Sequence, residues 1–145
     1  MEEKDDPRKW PLNNASAFWG NQWFAVAVYL LPLFLPQVKF LTLAVMIFGL
    51  IELIGHLIVF NVAIKTWYNP GVFTSLLGLA PLSIVYFSKT LGTVLYSWLD
   101  LIIAFIWIVF NYWMAFRSPI YNYLGRKSEY AFSNEEVNRA SKYMK

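Results

Sequence analysis

Four long apolar runs, separated by short polar or prolyl breaks, lie between two polar tails. They run from about Phe18 to Leu35, from Val38 to Ile64, from Val72 to Ser88 and from about Leu91 to Phe116. Pro32 and Pro36 mark the end of the first, where a helix should kink or stop. At about 1.5 Å per residue the second reaches roughly 40 Å, more than a hydrocarbon core of about 30 Å, so it should tilt or protrude. The third is barely long enough to cross and carries Pro81 in its interior. A kink there would free the carbonyl near Leu77, with Thr74 or Ser75 at hand to satisfy the backbone. Beyond the fourth run, Ser133-Asn134-Glu135-Glu136 reads as a capping box that opens a short amphipathic helix at a surface. The pattern predicts an all-α fold, an integral membrane four-helix bundle over residues 18–116. Residues 1–17 and 117–145 are its tails. The connections are a few residues long and leave little room for an extramembrane catalytic domain.

Composition supports this class. The chain is 58% hydrophobic and 19% aromatic but only 14% charged, too little polar surface for a soluble core of 145 residues. Of the acidic residues only Glu52 and Asp100 fall inside apolar runs. The acidic start lacks the basic region of a signal peptide, so the first span is expected to be retained. Four crossings put both termini on one side, with Lys4, Arg8, Lys9, Lys65, Arg117, Arg126, Lys127, Arg139, Lys142 and Lys145; Lys39 and Lys89 fall on the other. This asymmetry predicts a multi-pass protein of the cell membrane with both tails and the loop at 65–71 cytoplasmic. Trp10, Trp19, Trp23, Trp67, Tyr68, Tyr112 and Trp113 gather near that side, as an interfacial aromatic belt would. The net charge of +3 sits in the tails and suits anionic lipid; no basic stripe suggests nucleic acid. Absence of cysteine excludes disulfides, thiol nucleophiles and thiolate metal sites.

The second run is broken by Glu52 and His56, one helical turn apart and so on one face. A carboxylate in mid-span costs at least about 2.5 to 3.5 kcal/mol, so it asks for a partner, a wet cavity or a task. Measured from the outer ends of their helices, Glu52 lies roughly 21 Å deep, His56 roughly 27 Å and Asp100 roughly 14 Å. Glu52 and Asp100 could therefore meet if the second and fourth helices touch. Three uses stand open. One is acid–base work or proton transfer, since burial favours the neutral form of each group. Another is a metal held by His56, Glu52 and Asp100, a ligand set suited to non-haem iron, manganese or zinc. The third is structural, with Glu52 and His56 bonding each other, Asn61, Tyr96 or backbone to fix the register. Asn61 points almost opposite to Glu52 and reads as a separate interhelix hydrogen bond. Asn21, with Gln22, could face the same cavity as His56 if the first helix packs beside the second. Thr74, Gly78 and Pro81 share one face of the third helix, where small side chains allow close helix approach.

His56 and Tyr68-Asn69-Pro70-Gly71 resemble the second histidine and the YXPG motif of the HXXEE family of small bacterial membrane proteins. The resemblance covers about Phe18 to Ser88. Its YXPG part reads as a tight turn, Pro70 fixing its φ and Gly71 allowing φ > 0, that returns the chain into the third span. The HXXEE motif itself is missing: His56 is the single histidine, and on the first helix the polar residues are Asn21 and Gln22. Membership implies a multi-span membrane protein of undetermined biochemical role. If the family's histidines and glutamates form a shared polar or metal centre, this chain keeps half of it. The expected function is non-enzymatic: binding of a partner membrane protein, or of a small ligand at the polar centre. The alternative is an intramembrane enzyme or proton-coupled carrier using Glu52, His56 and Asp100. A carrier of this size would be expected to form a homodimer.

Overall fold

The computed structural model describes residues 13–63, 65 and 67–141, which are helical with no strand among them. Helix α1 (residues 14–34) opens on a reciprocal cap: the Ser16 N–H donates to Asn13 Oδ1, and the Asn13 N–H donates to the Ser16 hydroxyl. It ends at Leu35, which leaves helical geometry ahead of Pro36. Helix α2 (Lys39–Ala63) follows. Asn69 then caps helix α3 (residues 70–90), with Pro70 in its first turn, where a missing N–H leaves no bond unmade. A turn through Gly92, at φ 83°, leads to helix α4 (Trp98–Phe116) and, after Ser118, to helix α5 (Pro119–Gly125). The capping box at Ser133 and Glu136 is formed, with bonds of 2.7 and 3.2 Å, and opens helix α6 (Asn134–Ser141).

Helix α2 is central. It packs against α4 on one side and α3 on the other, while α1 lies across α4 and α2. The pairs Phe40–Trp107 and Glu52–Tyr112 show α2 and α4 running the same way. Gly49 beside Ser83, and His56 beside Gly71, show α3 running against α2. Gly20 against Ala115, with Trp23 bonded to Asn111, does the same for α1 and α4. The result is an up-down-up-down bundle. Its core joins Val28 of α1, Leu43, Ala44 and Phe48 of α2, and Ala104 and Ile108 of α4. On α4 the buried stripe of Ala104, Ile108, Asn111 and Ala115 follows the helical repeat.

Each of the first three helices contains a widened turn closed by a bond to the fifth preceding carbonyl. The pairs are Leu31 N–H to Val26 O, Phe60 N–H to Gly55 O and Ala80 N–H to Ser75 O. The first and third lie just before Pro32 and Pro81. There the ring removes an N–H and the helix relaxes by one residue rather than breaking. The second has no proline and contains His56. Turns of this kind often mark functional positions.

Three helices, Lys39–Ala63, Gly71–Thr90 and Trp98–Gly125, are long and apolar enough to cross a membrane, and only 17 to 22% of each apolar window is buried. Helix α1 falls outside that set, its apolar character diluted by Asn21 and Gln22.

Two packing expectations are corrected. The face of α3 carrying Thr74, Gly78 and Pro81 is not the contact face: Thr74 and Pro81 are exposed, and a Cβ on Gly78 would meet nothing within 4 Å. Ser75, Ala80 and Ser83 are buried instead, and the close approach is made by Gly49 of α2. A Cβ there would sit 2.5 Å from Ser83 Oγ and 3.3 Å from the Leu79 carbonyl. Gly49→Ala should therefore separate the helices and cost about 1 to 3 kcal/mol, read as a lower thermal midpoint in detergent. The fourth helix begins at Trp98 rather than near Leu91, because Ser97 and Asp100 cap each other there.

Candidate functional site

A cleft of about 400 Å³ opens between α1, α2 and α4. Helix α1 contributes Asn21, Phe24, Ala25 and Tyr29; α2 contributes Phe48, Ile51, Glu52, Gly55, His56 and Phe60; α4 contributes Tyr112 and Phe116. The widened turns of α1 and α2 both border it, which brings Ala25 and Tyr29 on one helix and His56 on the other into its wall.

Glu52 and His56 form the polar centre. Glu52 Oε2 lies 3.4 Å from His56 Nε2, and the two side chains are 22% and 25% exposed, so a molecule in the cleft can reach both. The Tyr112 hydroxyl donates to Glu52 Oε1 at 2.9 Å. On its far side, His56 Nδ1 lies 2.7 Å from Asn69 Oδ1. Asn69 Nδ2 donates to the His56 carbonyl at 2.8 Å and to Asn61 Oδ1 at 2.6 Å, while its Oδ1 also accepts the Gly71 N–H at 3.1 Å. Asn61 Nδ2 donates in turn to the carbonyls of Leu57 and Trp67. The network runs from Tyr112 on α4 through Glu52 and His56 on α2 to Asn69 at the head of α3.

That network determines proton positions. Asn61 presents its Nδ2 to two carbonyls, so its oxygen faces Asn69. Asn69 must then present its Nδ2 there and its oxygen to His56. An amide oxygen only accepts, so His56 Nδ1 carries a hydrogen. Nε2 faces the carboxylate, and the contact is attractive only when one proton sits on Nε2 or on Glu52. The pair therefore sets an imidazole nitrogen against a carboxylate at the cleft wall.

Gly71 gives the imidazole its room. A Cβ on Gly71 would overlap the His56 ring atoms Cε1, Nδ1 and Nε2. This corrects the turn expected of Tyr68, Pro70 and Gly71. Among the described residues only Gly92 is a glycine at positive φ, whereas Gly71 is helical and is glycine because a ring lies against its Cα. The variable position of the motif, Asn69, is its most connected residue.

The remaining sequence candidates separate. Asn21 lines the cleft, its Nδ2 bonded to the Ala17 carbonyl at 3.0 Å. Asn61 is buried and belongs to the network rather than to a separate interhelix bond. Asp100 does not join Glu52. Its Oδ2 accepts from the Ser97 N–H at 2.9 Å and the Ser97 hydroxyl at 2.7 Å, at the far end of the bundle. Tyr96 stays at that end too, its ring 6.3 Å from Tyr86. Among the described residues no three His, Asp or Glu come together to hold a metal. Asp100→Ala should accordingly lower the thermal midpoint, as half of a reciprocal cap is lost, and leave ligand binding in the cleft unchanged; a thermal midpoint and a titration on one sample check both.

Several of the aromatic residues near that end also bond within the bundle. Trp10 lies outside the described residues. Trp67, 87% exposed, suits an interfacial role. Trp19 donates to the Met114 carbonyl and Trp23 to Asn111 Oδ1, both turned onto α4, and Tyr112 holds Glu52. Tyr112 and Tyr29 are the contributors to the site that the sequence reading missed. Tyr112 stands one turn beyond Ile108, next to Asn111, and its place beside the buried stripe of α4 was the available signal.

No curated protein and no solved structure matches the chain. The model of a family described as protein of unknown function with HXXEE motif matches residues 2–86, more than half of the sequence. That match spans Glu52, His56, Asn61 and the Tyr68–Gly71 motif, although the HXXEE motif itself is absent. The chain belongs to the HXXEE family.

Proposed function

We propose that this chain is a four-span integral membrane protein, both termini cytoplasmic, that binds a small amphiphilic molecule in the cleft between α1, α2 and α4. The observation that carries the reading is a largely apolar cleft of about 400 Å³ with Glu52 and His56 on its wall. Its size and lining, apolar walls with a few convergent polar groups, are those of ligand sites. The membrane setting is supported by three helices that are apolar yet mostly unburied. It is also supported by the ends of the bundle: Lys65, Arg117, Arg126 and Lys127 belong to the end where α2 and α4 finish, and Lys39 and Lys89 to the other.

The test is a thermal-shift screen of neutral, cationic and anionic amphiphiles on detergent-purified protein, beside Ala25→Trp, which fills the cleft. Stabilisation of the parent by a compound that leaves Ala25→Trp unaffected is the expected result. A screen in which every effective compound stabilises both proteins equally would contradict a ligand site in the cleft.

The Glu52–His56 contact favours a second reading, proton transfer coupled to a solute. Proton flux into liposomes carrying the protein, stopped by Glu52→Gln, is its signature; equal flux with Glu52→Gln would exclude it.

A further inference from the structure

We propose that the ligand of this cleft is a lipophilic organic cation, an ammonium-type charge carried on an apolar body. The inference rests on the cleft being a ligand site, as read above, and names the chemistry that fits it. The lining contains one carboxylate and neither lysine nor arginine. Glu52 thus offers negative charge to the cleft with only His56 to offset it, and the His56 Nε2 faces one of its two oxygens, Oε2. An anion would meet the carboxylate with no second cation to hold it. A neutral apolar molecule would strip water from Glu52 and leave its unused lone pairs without donors.

The walls supply the other half. Phe24, Tyr29, Phe48, Phe60, Tyr112 and Phe116 line the same cleft as the carboxylate. Tyr112 holds Glu52 at 2.9 Å and is in ring contact with Phe24 at 5.3 Å, Phe48 at 5.8 Å and Phe116 at 6.2 Å between centroids. A cation seated at Glu52 therefore lies beside several ring systems. Cations are attracted to aromatic faces within about 6 Å, and quaternary ammonium groups, which cannot donate a hydrogen bond, are recognised in this way. The apolar body of such a ligand would pack on Ile51 and Ala25 in the same cleft.

The test compares phenyltrimethylammonium with its uncharged isostere tert-butylbenzene, titrated calorimetrically into the full chain in a neutral maltoside detergent. The parent should bind the ammonium saturably and the isostere about tenfold or more weakly. Glu52→Gln, which keeps the shape and the acceptor for Tyr112, should weaken ammonium binding about tenfold or more, and Ala25→Trp should abolish it. Glu52→Gln carries the decision if Ala25→Trp fails to fold. Equal binding of both probes to the parent, lost in Ala25→Trp, would overturn the cation inference and leave the ligand cleft standing. Undiminished ammonium binding to Glu52→Gln, or no ammonium binding to the parent, would also overturn it; the thermal-shift screen then judges the cleft on its own.

Discussion

Asn69→Ala is expected to destabilise the protein by about 3 kcal/mol, the largest effect of any single change to a polar side chain in the network. The side chain caps α3 through the Gly71 N–H, worth about 1 kcal/mol. It also satisfies His56 Nδ1, the His56 carbonyl and Asn61 Oδ1. Asn69 is buried, 8% exposed, so its loss leaves partners with limited access to water, and an orphaned buried polar group costs about 1 to 3 kcal/mol. His56 is a quarter exposed and recovers part of this from solvent, which keeps the total near 3 rather than 6. Thermal unfolding of the detergent-solubilised protein should show a midpoint lower by on the order of 10 °C. Asn69→Asp retains the cap and the oxygen facing His56 but turns a second oxygen towards the His56 carbonyl and Asn61, so it should recover only part of the loss. A change of under 2 °C in Asn69→Ala would show that the network does not support the junction of α2 and α3.

Gly71→Ala should cost about 2 kcal/mol by overpacking. The new methyl and the His56 imidazole cannot share one space, so either the ring leaves Asn69 or α3 moves out from α2. The cause can be isolated, because His56→Ala removes the ring that the methyl strikes. In the His56→Ala background the Gly71→Ala substitution should be close to neutral or slightly stabilising, since alanine favours the helix over glycine by about 1 kcal/mol. A double-mutant cycle on thermal midpoints reads this coupling directly. Equal costs in both backgrounds would mean that Gly71 is needed for some other reason than the imidazole.

These two residues show what the sequence conveys and what it withholds. Helix α2 was legible almost to the residue, because its apolar run is long and Glu52 and His56 mark one face by spacing alone. The Ser133–Glu136 cap was legible because a capping box is local. Asp100 was misplaced for a related reason: the apolar run from Leu91 suggested a helix reaching that far back, whereas Ser97 and Asp100 carry the local signature of a helix start. Reading that signature first would have moved Asp100 from mid-span to the end of the bundle. Gly71 was read through its φ, the usual reason for glycine in a turn, but its reason is a ring from another helix, a contact between residues fifteen positions apart. Asn69 stood at the variable place in its motif, and only the fold shows that it faces His56 and Asn61 together. Trp19 and Trp23 were assigned to an interface by type, while their indole N–H groups found acceptors on α4. The widened turns at Pro32 and Pro81 were half legible: the prolines and a kink were visible, but not the one-residue relaxation that carries the helices past them.

The most direct measurement is the tautomer of the imidazole, since His56 is the single histidine and one ¹⁵N-histidine label reports on it alone. The neutral ring should carry its hydrogen on Nδ1, held there by Asn69 Oδ1, with Nε2 turned to Glu52. That is the reverse of the form free histidine prefers in water, and Asn69→Ala should shift the ring back towards the Nε2–H form. A parent protein whose neutral ring is protonated at Nε2 would contradict the network that joins His56 to Asn69 at the wall of the cleft.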